Sequence, residues 1–201
     1  MKQKHLLSLK DYSRSDIEEI LDLARKVKSR PGDYRKALEG KTLGMIFQKP
    51  STRTRVSFEA GMFQLGGHAL FLGADAIQLN RGETVPDTAR ILSRFVDGIM
   101  ARVFAHQDIL DLARHATVPV INGLSDLLHP CQALADYLTL LERRDSFDGL
   151  KIAYVGDGNN VCHELMFGAA KLGLAMSVGC PEGYELKPTG NNCCRCVAIR
   201  H

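Results

Sequence analysis

The sequence predicts an α/β fold, in which a doubly wound, parallel four-stranded sheet with flanking helices is followed by the first βαβ unit of an incomplete second α/β domain. Short apolar segments of strand character alternate with helical segments that have one apolar face, which is typical of parallel sheets with right-handed crossovers. The apolar segments are residues 42–47, 69–72, 98–103 and 118–122. The alternation starts again at residue 150, after Asp148-Gly149, and this restart predicts the second domain.

Length and composition limit the size of that second domain. The 201 residues are 45% hydrophobic and 24% charged, which suits a globular chain with one full core and little more. We therefore expect a domain over residues 1–147, the start of a second over 148–187, and a disordered tail over 188–201, where no periodicity is found.

Charge and hydropathy exclude several classes of partner. The net charge of +3 is small and no long basic run accompanies it, so neither nucleic acid nor a membrane is expected as a partner. The N-terminus lacks the apolar core of a signal peptide, and no apolar stretch approaches the ~20 residues of a membrane span. We expect a cytoplasmic protein whose positive charge acts locally, on a small anionic substrate.

The six cysteines do not form the pattern of a disulfide framework. Cys131, Cys162 and Cys180 stand singly inside periodic segments and are expected to be reduced. Cys193, Cys194 and Cys196 crowd into the tail with His201 beyond them, which raises the alternative of a metal site. Because a second spaced Cys/His pair is missing, we favour a tail without metal.

The first helix is predicted at residues 16–29. Ser15-Asp-Ile-Glu18 matches a capping box, and apolar residues such as Ile17 and Leu21 recur on one face. We interpret this helix as a cover for the core.

The turn after the first strand has the features of a phosphate-binding helix start. Lys49-Pro50 breaks the strand, and Ser51 is a good N-cap for a helix to about Leu65. Backbone N–H groups, the helix dipole and the guanidinium groups of Arg53 and Arg55 would all favour an anion there. The alternative is an ordinary capped helix with solvated arginines.

Two further strand ends carry polar residues. Arg102 falls at the carboxyl end of the third strand, where burial of a charge is costly unless it is paired. His129 and Gln132 follow the fourth strand, at the start of a helix with Pro130 in its first turn. An ordinary surface arginine and a structural histidine are the alternatives. Because the carboxyl ends of parallel strands meet at one sheet edge, we expect all three side chains to join the turn at Ser51 in one site.

Four stretches of this chain resemble the aspartate/ornithine carbamoyltransferase family. They are Ser51-Thr-Arg-Thr-Arg-Val-Ser-Phe-Glu59, Gln78-Leu-Asn-Arg-Gly-Glu-Thr-Val-Pro-Asp-Thr-Ala-Arg90, Ala101-Arg-Val103 and His129-Pro-Cys-Gln-Ala-Leu-Ala-Asp136. The ornithine branch is the better match, since the aspartate branch typically places lysine at Arg81 and threonine at Cys131.

The resemblance implies transfer of the carbamoyl group from carbamoyl phosphate to the δ-amine of L-ornithine, in arginine biosynthesis and the urea cycle, by a homotrimer of full-length chains. It implies no metal and no organic cofactor. By the same resemblance, Thr54, Arg102 and His129 are catalytic. The residues expected to bind carbamoyl phosphate are Ser51, Thr52, Arg53, Thr54, Gln78, Arg102, His129 and Gln132.

The second domain begins with a strand at 150–155, a Gly156-Asp-Gly-Asn-Asn160 turn, a helix at 161–172 and a strand at 175–180. A dinucleotide site is an alternative here, with Glu182 near a ribose, but the third glycine of that fingerprint is missing. The family resemblance instead implies that Asn160 contacts the α-amino acid part of ornithine.

The resemblance spans about residues 5–187. Family members continue for roughly another domain, with Ser-Met-Gly and His-Cys-Leu-Pro motifs that hold ornithine. We therefore interpret the chain as C-terminally truncated by a frameshift, premature stop or misassembly, and expect it to be inactive alone. A non-catalytic carbamoyl phosphate or phosphate binder is the alternative, and the acceptor could also be putrescine or an acylated ornithine. The part after residue 150 is expected to be a frayed appendage.

Overall fold

The four predicted strands pair side by side in the computed structural model, which describes residues 3–73, 77, 82–186 and 196–198. The first unit contains, in chain order, α1 Arg14–Ser29, β1 Thr42–Phe47, α2 Thr52–Gln64, β2 His68–Gly73, α3 Val85–Leu92, β3 Gly98–Arg102, α4 His106–His115, β4 Val120–Leu124 and α5 Pro130–Arg144. The sheet is parallel throughout, in the order β2-β1-β3-β4. The predicted four-stranded α/β architecture is confirmed.

The start of α1 differs from the prediction. Ser13, and not Ser15, is the N-cap, and it forms a capping box with Asp16 in which each side chain accepts from the other's backbone N–H. Both serines have a carboxylate three residues later, so sequence spacing alone could not choose between them. α3 ends at Leu92, and Val96, shortly after it, is buried in the core.

Strand register places the polar residues at one edge of the first sheet. Phe47, the last residue of β1, lies opposite Gly73 on one side and Arg102 on the other. The pairing of β3 with β4 shifts between Ala101 and Arg102, so that Arg102 lies opposite Leu124. The turn after β1, the end of β3 and the loop after β4 are therefore neighbours.

The two faces of this sheet are covered unequally. One face packs on α3 and α4 through buried residues that include Ile46, Ile99 and Ile109. The other meets α2, none of whose residues is fully buried, and a mostly apolar cavity of about 560 Å³ lies there, lined in part by Phe58 and Met62. None of the described helices is long and apolar enough to cross a membrane.

The second unit contains β5 Lys151–Val155, α6 Asn160–Leu172 and β6 Ala175–Cys180, and the predicted βαβ unit is confirmed. A third parallel strand, β7 Cys196–Ala198, pairs with β6. β7 lies within the segment 188–201, for which the sequence indicated no regular structure.

α6 shares one hydrophobic core with α1 and α5. Ile17, Tyr137 and Leu165 belong to the same buried cluster, and the Tyr137 hydroxyl donates a hydrogen bond to the Leu165 carbonyl. The fully buried carboxylate of Glu164 accepts hydrogen bonds from the Leu9 N–H and, at 3.0 Å, from the Ser8 hydroxyl. The packing thus joins the helix after residue 150 to the first unit, which the sequence did not predict.

Candidate functional site

A cleft of about 450 Å³ opens at the carboxyl edge of the first sheet, between the start of α2 and the start of α5. Six of the residues that the sequence assigned to the site line this cleft: Ser51, Arg53, Thr54, Arg102, His129 and Gln132. The predicted convergence of three strand ends is therefore found in the structure. Thr52 is exposed and lies outside the lining, and Gln78 falls outside the described residues.

The start of α2 is built around Ser51. The Ser51 hydroxyl accepts from the Thr54 backbone N–H at 3.3 Å and donates to the Thr54 hydroxyl oxygen at 3.0 Å. This cap orders the turn and directs the remaining N–H groups of the first helical turn, with the positive end of the helix dipole, toward the cleft. The local geometry is that of an anion-binding helix N-terminus.

Only one of the two arginines in this turn lines the cleft. Arg55 lies 2.9 Å from the Glu59 carboxylate, one helical turn later, and its guanidinium stacks 3.8 Å from the centre of the Phe71 ring. Arg53 is among the lining residues. The expectation that both guanidinium groups serve one anion is therefore corrected to Arg53 alone.

Arg102 lines the cleft, and no acidic side chain is among the described residues that line it with Arg102. Its Nε is buried and has no hydrogen-bond partner among the described residues. Burial lowers the pKa of Arg102, and the nearby positive charge of Arg53 lowers it further. Two guanidinium groups held together without a carboxylate among the lining residues create a site that is completed by an anion.

His129, the residue directly before α5, lines the same cleft. Its Nδ1 is buried and unpartnered within the described part of the chain. Burial, and then the charge of Arg102, lower the pKa of His129 to about 4. The imidazole is therefore neutral at pH 7, and it can donate one hydrogen bond to a polarised oxygen without adding a third positive charge.

Gln132 has a partner that the sequence analysis missed. Its Nε2 donates to the Asp136 carboxylate at 2.9 Å, across one turn of α5. The Gln-x-x-x-Asp spacing could have indicated this pair. Cys131, also in the lining, donates its thiol to the Asn122 carbonyl at 3.5 Å, and burial raises its pKa to about 12. The thiol is therefore not a nucleophile at neutral pH.

Asn160 lies beside the cleft. Its amide donates to the Ser125 carbonyl at 2.7 Å, in the loop between β4 and α5. The same loop is held by His163, whose Nδ1 lies 3.3 Å from the Leu127 carbonyl, and by the backbone N–H of His106, which donates to Asp126 at 2.8 Å. α4 and α6 thus support the loop that carries His129, a role that no local pattern in the sequence indicates.

The glycine turn of the second unit packs against the chain itself. Asn159 caps α6 by accepting from the N–H groups of Val161 and Cys162, at 3.0 and 3.1 Å. The Gly158 N–H donates to the Tyr184 carbonyl at 2.8 Å, and a Cβ on Gly158 would lie 2.5 Å from the backbone N of Leu186. The backbone of residues 184–186 fills the space beside this glycine, which argues against a nucleotide there.

The hypothesis of a metal site in the tail concerns Cys193, Cys194 and His201, which lie outside the described residues, and Cys196, described only in its backbone. Across the described ranges, no group of three or more His, Cys, Asp or Glu residues is placed to hold a metal ion.

Comparison with known proteins gives two matches to one family. The carbamoyl-P binding domain of the aspartate/ornithine carbamoyltransferases matches residues 4–142, and their Asp/Orn binding domain matches residues 148–197. The second match continues beyond residue 187, where the motif-based resemblance ended.

Individual relatives agree. The ornithine carbamoyltransferase of Thermococcus kodakarensis is 60% identical over 187 residues, which is 92% of this chain and 59% of the relative. The anabolic ornithine carbamoyltransferase of Pyrococcus furiosus is 60% identical over 184 residues, which is 90% of this chain and 58% of the relative. The chain thus spans a little under three fifths of these curated relatives.

Solved structures share the fold. The Pyrococcus furiosus ornithine carbamoyltransferase superimposes with a TM-score of 0.88 at 59% identity, over 92% of this chain and 59% of that one. The Thermus thermophilus ornithine carbamoyltransferase gives a TM-score of 0.88 at 46% identity, over 94% of this chain and 65% of that one.

Proposed function

The chain belongs to the aspartate/ornithine carbamoyltransferase family, and from this membership we propose that it provides the carbamoyl phosphate half of an ornithine carbamoyltransferase. The reaction transfers the carbamoyl group to the δ-amine of L-ornithine and yields citrulline and phosphate. One observation carries the proposal: a cleft with two guanidinium groups and a neutral histidine, in which Arg102 Nε and His129 Nδ1 lack partners among the described residues.

The cleft residues supply fixed donors for this chemistry. The uncharged amine attacks the carbonyl carbon, a C–N bond forms, and negative charge develops on the carbonyl oxygen. The bond from carbon to the bridging oxygen then breaks, and the phosphate leaves with the bonding electrons and takes up the proton that the amine loses. We propose that Thr54, Arg102 and His129 stabilise the carbonyl oxygen, while Gln132 accepts from the carbamoyl NH₂.

The phosphate is the more strongly charged end of the substrate, and we assign it to the α2 N-terminus. Ser51, Thr52, Arg53 and Thr54 would hold it through backbone N–H groups, hydroxyls and one guanidinium. Gln78 would close this site and Asn160 would bind ornithine, as the family resemblance implies. No metal or organic cofactor is part of this proposal.

We propose that this chain alone binds carbamoyl phosphate without turning it over, because it spans only 59% of a relative that carries the whole activity. The full-length protein is proposed to be a cytoplasmic homotrimer in arginine biosynthesis, in line with the word anabolic in the name of one relative. The alternative of a non-catalytic binder would rest on the same cleft, in which six of the expected side chains meet.

Calorimetric titration with phosphonoacetamide, a stable analogue of carbamoyl phosphate, tests the binding site. We expect binding by the wild-type chain and a loss of about 10²-fold or more in affinity for Arg102→Gln, since this variant removes a charged donor from a partly buried site. A citrulline assay with carbamoyl phosphate and ornithine tests turnover. Unchanged affinity in Arg102→Gln would contradict the proposed site.

A further inference from the structure

We propose that Asp136 is a positioning residue that orients the carboxamide of Gln132 so that its Oε1 faces the cleft. The oriented Oε1 then selects a ligand with an N–H group over an isosteric acyl phosphate with a methyl group. The inference rests on the proposed function and deepens it. It assigns substrate specificity to a residue that does not line the cleft.

The argument begins with the two ends of the Gln132 side chain. A carboxamide has one accepting and one donating end, and rotation by 180° exchanges them at nearly equal volume. An ionised carboxylate only accepts. Because Asp136 lies 2.9 Å from Gln132 Nε2, the donating end is held along α5, and the accepting Oε1 is left for the cleft.

The other polar side chains in the lining make this acceptor distinctive. Arg53 and Arg102 can only donate. The hydroxyls of Ser51 and Thr54 bond to each other within the helix cap, and the Cys131 thiol donates to the Asn122 carbonyl. The Ser57 hydroxyl donates to the Thr54 carbonyl, and the proposed function assigns His129 a donor role, so Gln132 Oε1 is the amide acceptor that the described lining offers to a ligand.

This arrangement fits an anion that also carries an N–H donor. Carbamoyl phosphate has an NH₂ group where acetyl phosphate has a methyl group of similar size. The carbamoyl compound forms a hydrogen bond with Oε1, whereas the methyl compound leaves Oε1 without a donor. A neutral hydrogen bond of this kind corresponds to roughly five- to tenfold in affinity.

The simpler interpretation is a helix-surface pair of the kind that adds slightly to helix stability. α4 contains such a pair, Gln107 and Asp111, with Nε2 3.1 Å from the carboxylate, and neither residue lines the cleft. Both aspartates are partly buried, but Asp136 directly follows Ala135 of the cleft lining. Burial raises the pKa of Asp136, while the bond from Gln132 opposes the rise. The two pairs therefore provide a matched comparison.

Two phosphonates of equal charge and similar shape test the proposal by calorimetry with the full chain. Phosphonoacetamide carries the NH₂ group and acetonylphosphonate carries a methyl group in its place. We expect the wild-type chain to prefer the amide by about five- to tenfold. In Asp136→Ala this preference should fall to about twofold. The lost negative charge acts on both phosphonates alike and therefore cancels in their ratio.

Three further variants complete the design. Gln132→Leu should abolish the preference, because the acceptor is gone. Asp136→Asn can accept or donate, keeps the side-chain volume and should give an intermediate preference. Asp111→Ala, which breaks the equivalent pair on α4, should retain the wild-type preference.

The outcomes separate this inference from the proposed function. A full wild-type preference in both Asp136→Ala and Asp136→Asn would overturn the positioning role, and equal binding of both phosphonates by the wild-type chain would overturn the acceptor role of Gln132. Either result leaves the anion site intact. If the wild-type chain binds neither phosphonate, the proposed function fails and this inference fails with it.

Discussion

At the scale of single residues, the buried atoms without partners divide into two chemical kinds. Within the described part of the chain, Arg102 Nε and His129 Nδ1 belong to the cleft, while Asn122 Oδ1 and Glu164 Oε2 are acceptors in the interior. Burying an unpaired polar group is costly, so each kind has a consequence. A ligand would supply hydrogen-bond partners to the two atoms in the cleft. A buried carboxylate instead loses its unfavourable charge by taking up a proton.

His129 provides a test of the electrostatics in the cleft. Its pKa of about 4 lies below the ordinary value of 6.5, so the protonated form is disfavoured in the folded chain. Nuclear magnetic resonance titration should show His129 neutral down to about pH 4. Arg102→Gln should raise this pKa, although burial, the larger cause, should keep it below 6.5. An unchanged pKa in that variant would show that Arg102 does not act on His129.

Glu164 provides a test of the interior. Burial raises its pKa from 4.5 to about 7, while the bonds from Leu9 and Ser8 oppose the rise. Because the folded chain holds this proton more tightly than the unfolded one, the free energy of unfolding should decrease as pH rises from about 4.5 through 7. The full difference corresponds to about 3 kcal/mol.

Glu164→Gln should remove this dependence, since glutamine stays neutral and can still accept from Ser8 and Leu9. Urea unfolding at pH 5 and pH 8 measures it, with the exposed Glu182→Gln as control. We expect the variant to be more stable than the wild-type chain at pH 8. Equal losses of stability between pH 5 and pH 8 in the variant and the wild-type chain would contradict a neutral Glu164.

At the scale of elements, α5 and α6 pack closely in the shared core. A Cβ added to Gly168 would lie 2.3 Å from Cε2 of the Tyr137 ring. The ring is fully buried and its hydroxyl is bonded to Leu165, so it cannot easily move. Glycine is thus required at this position by the approach of its neighbour.

Gly168→Ala should therefore destabilise the chain by about 1–3 kcal/mol through overpacking. Gly61→Ala in α2 is the matched control, because a Cβ there meets nothing within 4 Å. That substitution should be neutral or stabilising by up to about 1 kcal/mol. Thermal unfolding of both variants checks the contrast, and equal melting temperatures would argue against close packing of the two helices.

At the scale of the whole molecule, the question is whether the chain after residue 150 behaves as an appendage. The strands β5 and β6 belong to a separate sheet, but most of α6 is buried against the first unit. We expect amides of α6 to exchange about as slowly as those of α5, and amides of β5, at the edge of its sheet, to exchange faster.

Hydrogen exchange followed by mass spectrometry distinguishes these segments. Fast exchange throughout α6 would support the appendage that the sequence suggested. Slow exchange in α6, but not in the rest of the chain after residue 150, would instead show that the cooperatively folding unit includes α6 and ends with the shared core.

The sequence by itself determined the alternation of strands and helices, the cap at Ser51 and the approach of Arg102, His129 and Gln132 to one cleft. These features follow from local periodicity and from a general rule, since parallel strands joined by right-handed crossovers bring their carboxyl ends to one edge. The Ser51–Arg55 and His129–Asp136 stretches indicated the family, and the comparisons confirm it.

Only the tertiary structure decided which side of each element faces which neighbour. Arg53 and Arg55 look alike in the sequence, but Arg55 stacks on Phe71 of β2 and pairs with Glu59 instead of lining the cleft. Asn160 reaches Ser125, and Glu164 reaches Ser8, across long separations in the chain. Such contacts depend on how distant segments pack together, and no periodicity within one segment encodes them.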